Sequence, residues 1–243
     1  MLPKQLYLAG LILVLLMQAS PVPLRALELG PVGLVPAALP AGSNPVLLPN
    51  TADFNSDGIP ERLLLAGGRL TIVSAERSVW QSPAGWVVAQ AGIADLNRDG
   101  HPEAVLLVWR AFSPWPVDQW LPYGGRITGF HTAAGDSCHI ILIGWRGREY
   151  GEMWAGSALA EPVRSFAVAD LQDDGRQELL TLEGSYSDPA PSPDAPQDSL
   201  PAHALKVWEW NGFGFSAVST VVGLFHKMAL VQANSGRILI LVP

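Results

Sequence analysis

The chain has 243 residues, a single cysteine and a formal net charge of −7 at pH 7. That length allows one sizeable core, or a repeat array counted as one domain. The lone thiol, Cys138, excludes an intramolecular disulfide framework, and an acidic chain without a Lys/Arg cluster excludes a phosphate-tracking surface for nucleic acid.

At the N-terminus, Lys4 precedes the apolar run Leu6 to Met17, which is too short for a stable bilayer span and has the shape of a secretory signal. Residues 1–26 are therefore expected to be a signal peptide, with Ala26 closing the cleavage region and Ala19 as the other option. The alternative is an uncleaved N-terminal anchor. Export places the chain in a periplasm, on a cell surface or in the medium, with no membrane span in the mature chain. Residues 27–50 are rich in Pro, Gly, Ala and Leu, and they read as an extended lead-in that can supply a closing strand.

A nine-residue pattern then recurs three times. The first copy is Asp53-Phe54-Asn55-Ser56-Asp57-Gly58-Ile59-Pro60-Glu61, followed by the apolar run Leu63 to Ala66. The second is Asp95-Leu96-Asn97-Arg98-Asp99-Gly100-His101-Pro102-Glu103, followed by Ala104 to Trp109. The third is Asp170-Leu171-Gln172-Asp173-Asp174-Gly175-Arg176-Gln177-Glu178, followed by Leu179 to Leu182. Each copy offers side-chain oxygens at positions one, three, five and nine, with glycine at six. Calcium is a hard cation that takes about six to eight oxygens, so a short loop must curl to aim alternate side chains inward. Glycine at six permits that turn. At position seven, Ile59, His101 and Arg176 would offer only a backbone carbonyl, which leaves their residue type free.

An EF-hand shares the opening spacing but needs a bidentate Glu at position twelve and flanking helices. Position twelve here is Leu64, Leu106 or Thr181, and β-rich runs follow, so that reading fails. One such loop alone is equally well an Asx-type turn satisfied by its own backbone. Three in-register copies argue against that.

These loops resemble those of the FG-GAP/VCBS repeat family over about residues 50–240. The resemblance implies a β-propeller with a calcium loop between the first two strands of a blade. The chain departs from the family in using Glu at position nine, where Asp is common, and Gln172 at position three of the last loop.

The fold expected is all-β: a propeller-like array of four-stranded blades over residues 51–243, about three to four in number and open in part. Between the loops, Arg69 to Ser74 with Ser78 to Gln81, His139 to Trp145 with Arg148 to Trp154, and Ala204 to Trp210 with Phe213 to Thr220 supply the outer strand pairs. Asn211-Gly212 marks the last of these as a hairpin. Insertions are expected at 111–137 and 187–202, and insertions on repeat folds gather on one face. A fourth, decayed copy at Leu230 to Arg237 has Val231, Ala233 and Ser235 at ligand positions and cannot hold calcium. The apolar run Ile238 to Val242 must be paired, either with the segment around Pro45 to Leu48 or by self-association with a second copy.

Gly135-Asp136-Ser137-Cys138-His139 sets nucleophile and base types side by side, but neighbours on a strand point to opposite faces and no nucleophile elbow surrounds them. No two of the five histidines have zinc-ligand spacing. Among nine tryptophans, Trp109, Trp145 and Trp154 suit blade cores, whereas Trp115 and Trp120 in the first insertion are candidates for ligand contact. The function expected is a calcium-stabilised, non-enzymatic binding module for a protein or glycan. The alternative is a carbohydrate-binding or carbohydrate-active propeller of the lyase or hydrolase kind.

Overall fold

A computed structural model describes residues 24–114, 129–188, 190 and 200–243, and every regular element among them is a β-strand. The chain opens with β1 (Arg25–Gly30), β2 (Gly33–Ala37) and β3 (Asn44–Val46). The first blade follows as β4 (Thr51–Ala52), β5 (Glu61–Ala66), β6 (Arg69–Ser74) and β7 (Arg77–Gln81). The second is β8 (Trp86–Ala94), β9 (Glu103–Ala111), β10 (Asp136–Trp145) and β11 (Tyr150–Ala155). The third is β12 (Val163–Ala169), β13 (Glu178–Glu183), β14 (Ala202–Trp210) and β15 (Phe215–Phe225). The chain closes with β16 (Ala229–Gln232) and β17 (Ile238–Val242).

In each of these three blades the strands lie antiparallel in chain order. The fourth blade mixes the termini in the order β2-β1-β17-β16-β3, so the four sheets form a β-propeller. The terminal strand is paired within the chain, but not with the segment expected. β17 lies between β1, with Ala26 opposite Leu241, and β16, with Val231 opposite Leu239. Residues 44–46 pair with β16 instead. A strand apolar on both faces gains most in the middle of a sheet, and the lead-in supplies two strands on one side of it and one on the other. The expected signal boundary also meets this strand pairing. Cleavage after Ala26 would take Arg25 and Ala26 out of β1, whereas cleavage after Ala19 would leave it whole.

Alternation along the central strands distributes side chains between two cores. On β9, Val105, Leu107 and Trp109 join Ile140, Leu142, Phe166 and Leu179 between the second and third blades. Ala104, Leu106 and Val108 face the other way, onto Leu63, Leu70 and Ile72 of the first blade. On β13, Leu179 faces the second blade while Leu180 and Leu182 pack on Leu230, Ile240 and Val242 of the fourth. This is why β9 and β13 are continuous apolar runs in sequence. Among the described residues no such cluster joins the fourth blade to the first, and Leu64 and Leu65 on β5 stay exposed.

The topology separates two ends of the propeller. The acidic segments 53–60, 95–102 and 170–177 all connect a blade's first strand to its second. The insertions are the β9–β10 and β13–β14 connections, which in antiparallel sheets leave from the opposite end. Trp115 and Trp120, and residues 1–23 of the expected signal, lie outside the described residues.

Candidate metal centre

All three acidic loops fold in one way, dictated by the same positions. Asp53 accepts from the N–H groups of Asp57 (3.2 Å) and Gly58 (2.8 Å), and Asp57 accepts from that of Ile59 (2.7 Å). In the second loop Asp95 accepts from Asp99 (3.1 Å) and Gly100 (3.0 Å), and Asp99 from His101 (2.9 Å). In the third, Asp170 accepts from Asp174 (3.1 Å) and Gly175 (2.7 Å), and Asp174 from Arg176 (2.9 Å). The curl needs left-handed backbone twice. Glycine takes it at position six, with φ of 83°, 86° and 81° at Gly58, Gly100 and Gly175. Position four also takes it, with φ of 60°, 63° and 56° at Ser56, Arg98 and Asp173.

The glutamate at position nine is the first residue of β5, β9 or β13, and Glu61, Glu103 and Glu178 are all buried. In the first and third loops one of its oxygens accepts from the N–H at position two, Phe54 or Leu171, each at 2.8 Å. The other oxygen, Oε1 of Glu61 or Glu178, is buried without a partner, and in Glu103 neither oxygen has one. The extra methylene of Glu over Asp lets a carboxylate anchored on the strand reach back to the loop's own backbone while keeping an oxygen free. A buried, unpaired carboxylate oxygen is costly unless something neutralises it.

The second loop is the most convergent. Carboxylate oxygens of Asp95, Asp99 and Glu103 all lie within 4.8 Å of one another. Burial, and then the charges of Asp99 and Asp95, push the Glu103 pKa up to about 8, and the nearby Leu96 and Asn97 N–H groups, which fall short of hydrogen-bond geometry, offset only part of this. Burial also raises Glu178 to about 7, aided by Asp170, Glu209 and Asp174 and opposed by the Leu171 N–H. An all-oxygen donor set with orphaned carboxylate oxygens fits a hard divalent cation, whose charge would reverse these shifts.

Position three separates the loops. Asn55 and Asn97 each accept from the N–H at position five (3.0 Å) and donate to its carboxylate (3.0 Å). Gln172 instead donates to Glu209 Oε1 on β14 at 2.9 Å, away from its own loop. The extra methylene carries the amide past the turn. Position eight holds a contact that the repeat pattern concealed. Gln177 stands where the other loops have Pro60 and Pro102, and its Oε1 accepts from the Asp95 N–H at 2.9 Å, joining the second and third loops. The replaced proline was the available signal. Between these two loops lies a polar cleft of about 670 Å³ lined by Asp95, Asn97, Arg98, Arg176, Gln177 and Trp210.

The decayed copy forms the β16–β17 turn, closed by bonds from Ala233 N–H to the Arg237 carbonyl and from Gly236 N–H to the Ala233 carbonyl, with Gly236 at φ 90°. Cys138 lies on β10, fully buried, and burial pushes its thiol up to about 12. Ser137 and His139, two residues apart, share the other face and are 2.8 Å apart. Both are buried, and the second imidazole nitrogen meets the Gly156 carbonyl at 3.0 Å rather than a carboxylate. Trp109 is buried as expected, while Trp145 and Trp154 are half-buried, in edge contact with Tyr150 and with Phe215.

No protein-family model matches this chain, and no curated protein matches it.

Proposed function

We propose that the chain is an exported calcium-binding β-propeller of the FG-GAP/VCBS kind, acting as a non-enzymatic module that binds a protein or glycan partner. The observation that carries this reading is the second loop, where three carboxylates converge around the buried, unpartnered oxygens of Glu103. Ligands would be Asp53, Asn55, Asp57 and Glu61 in the first loop and Asp95, Asn97, Asp99 and Glu103 in the second, with the Ile59 and His101 carbonyls. The third set, Asp170, Gln172, Asp174, Arg176 and Glu178, ranks last because Gln172 reaches Glu209. Bound calcium sets the loop end, and the insertions at the opposite end present the contact surface.

Counting bound calcium by native mass spectrometry tests this. Asp57→Ala and Asp99→Ala should each remove one ion. Asp173→Gly should remove none, because Asp173 is exposed at position four and glycine accepts its left-handed backbone. An unchanged count in both alanine variants, or a loss at Asp173, would sink the assignment.

The cleft between the second and third loops favours a second reading, carbohydrate binding. Trp210 offers an aromatic wall for a sugar ring, and Arg98, Arg176 and Gln177 offer hydrogen bonds to its hydroxyls. A glycan array with calcium present separates the two readings, since this one requires a Trp210-dependent signal.

A further inference from the structure

Equivalent strands of the second and third blades differ at one row of positions. On β9, positions twelve and fourteen from the start of the acidic loop are Leu106 and Val108, and Ile141 on β10 lies opposite Leu106. All three belong to the apolar core between the first and second blades. On β13 and β14 the same positions hold Thr181, Glu183 and Lys206, with Lys206 opposite Thr181. Thr181 and Glu183 are 1% and 3% exposed, on the side of β13 whose Leu179 packs on the second blade. A buried ion pair is in general no more stabilising than aliphatic side chains of similar volume, so packing does not account for this replacement.

Thr181 and Glu183 stand on the wall of a cavity of about 250 Å³ between the second and third blades, together with Trp154, Leu159, Trp208 and Phe215. The rings of Trp154 and Phe215 meet at 82° with centroids 5.2 Å apart, so they form a corner. Both rings and that of Trp208 are half-buried, and the cavity is reached from solvent. Its buried polar side chains can only accept. Thr181 donates its hydroxyl to Glu183 Oε1 at 2.9 Å, and its oxygen accepts from the Trp208 indole N–H at 2.8 Å. Glu183 Oε2 meets Lys206 Nζ at 2.6 Å. The same ammonium lies 3.3 Å from Glu161 Oε2, which His203 Nε2 also approaches at 3.3 Å. Glu161 and Glu183 thus share one lysine, and Lys206 is not on the cavity wall. An ionised carboxylate has about four acceptor positions, so Glu183 keeps capacity beyond the bonds to Thr181 and Lys206.

We infer that this cavity is a binding site for a small primary ammonium compound with a single aromatic ring. The ammonium supplies the donors that Glu183 and Thr181 lack, and it brings the positive charge by which two carboxylates outnumber one lysine. Aromatic walls suit the same ligand twice. Their faces attract a cation, and the corner of Trp154 and Phe215 takes a ring in edge or stacked contact. Lys206 already stands 5.5 Å from the centre of the Trp208 ring, a cation held by the same aromatic group and the same carboxylate. The volume lies below the roughly 300–1,000 Å³ of pockets for drug-sized ligands, which limits the body to about one ring. This site is separate from the acidic loops and does not depend on their binding calcium.

The test is calorimetric titration of the purified full chain with three probes of one shape and different charge: benzylammonium, benzyl alcohol and benzoate. Benzylammonium should bind most tightly and benzoate least. Glu183→Gln keeps the shape and removes the charge, and it should weaken benzylammonium by about tenfold or more while leaving benzyl alcohol unchanged, since a hydrogen bond to a charged group contributes about 1.5–3 kcal/mol. Ala158→Phe fills the cavity from the segment between β11 and β12 without touching the ion pairs, and it should abolish binding of benzylammonium and benzyl alcohol alike. No heat from benzylammonium overturns the inference. So do equal affinities for the three probes, or a folded Glu183→Gln that binds benzylammonium as the wild type does. If Glu183→Gln fails to fold, Ala158→Phe decides: wild-type affinity in that variant places the ammonium elsewhere and overturns the site.

Discussion

At the scale of single residues, a side chain's burial and its partners decide its role more than its type does. His139 illustrates this, because a histidine beside a serine suggests catalysis and the surroundings give it structural work. Burial, with the nearby Arg110 charge adding to it, pulls its imidazolium pKa down to about 4 against the Gly156 carbonyl, which favours the charged form. A histidine whose folded pKa is depressed contributes stability that is complete above about 6.5 and is lost as pH falls through about 4. The amount is on the order of 3 kcal/mol for a shift of this size. Chemical denaturation from pH 7 to pH 4 should show that loss in the wild type and a shallower slope in His139→Gln. Equal slopes would mean the imidazole is not buried neutral. The glutamates at position nine follow the same rule: type alone makes them candidate ligands, while burial at a strand start makes Glu61 and Glu178 a link between loop and sheet.

At the scale of elements, β17 is the strand on which the fourth blade depends. It is flanked by β1 and β16, and Leu239, Ile240, Leu241 and Val242 are all buried. Removing residues 237–243 would strip both neighbours of a partner and open the apolar core shared with the third blade. Deleting several fully buried aliphatic side chains exceeds the margin of about 5–15 kcal/mol by which domains are stable. The truncated chain should therefore be insoluble or lack a cooperative melt, as expression and circular dichroism would record. A soluble product with the full-length midpoint would contradict the pairing. The same reasoning separates the two cleavage options at the N-terminus, since only the shorter one keeps β1 entire.

At the scale of the whole molecule, the three acidic loops share one end, so the cation binding proposed there would be coupled to the folding of three successive blades. The unfolded chain cannot assemble such ligands, and each site held at about a hundred times its dissociation constant adds about 2.7 kcal/mol. For a domain of this size, one kcal/mol moves the midpoint by about 2–4 °C. Two filled loops should therefore raise the midpoint by roughly 10–20 °C relative to excess chelator. Differential scanning fluorimetry reads this directly, and coincident midpoints in calcium and chelator would count decisively against a metal role. The Gln177 bond to the Asp95 N–H adds a link between the second and third loops that melts with them.

Three in-register acidic loops, the apolar runs after them and the turn at Asn211-Gly212 were legible because they depend on local geometry. A curl needs glycine at six, a strand between two cores needs apolar residues at consecutive positions, and a hairpin needs residues that tolerate its turn. Those demands act within a few residues, so the sequence by itself determined the β-blades, their repeat and the candidate ligand set. What only the tertiary structure decided were contacts between segments far apart in the chain. These include β1 and β3 on either side of β16 and β17, Gln177 reaching the second loop, and Gln172 turned to Glu209. Pairing of distant strands depends on which edges remain free once the other blades have formed, and reach across a loop depends on single methylenes. Neither leaves a periodic trace in the sequence.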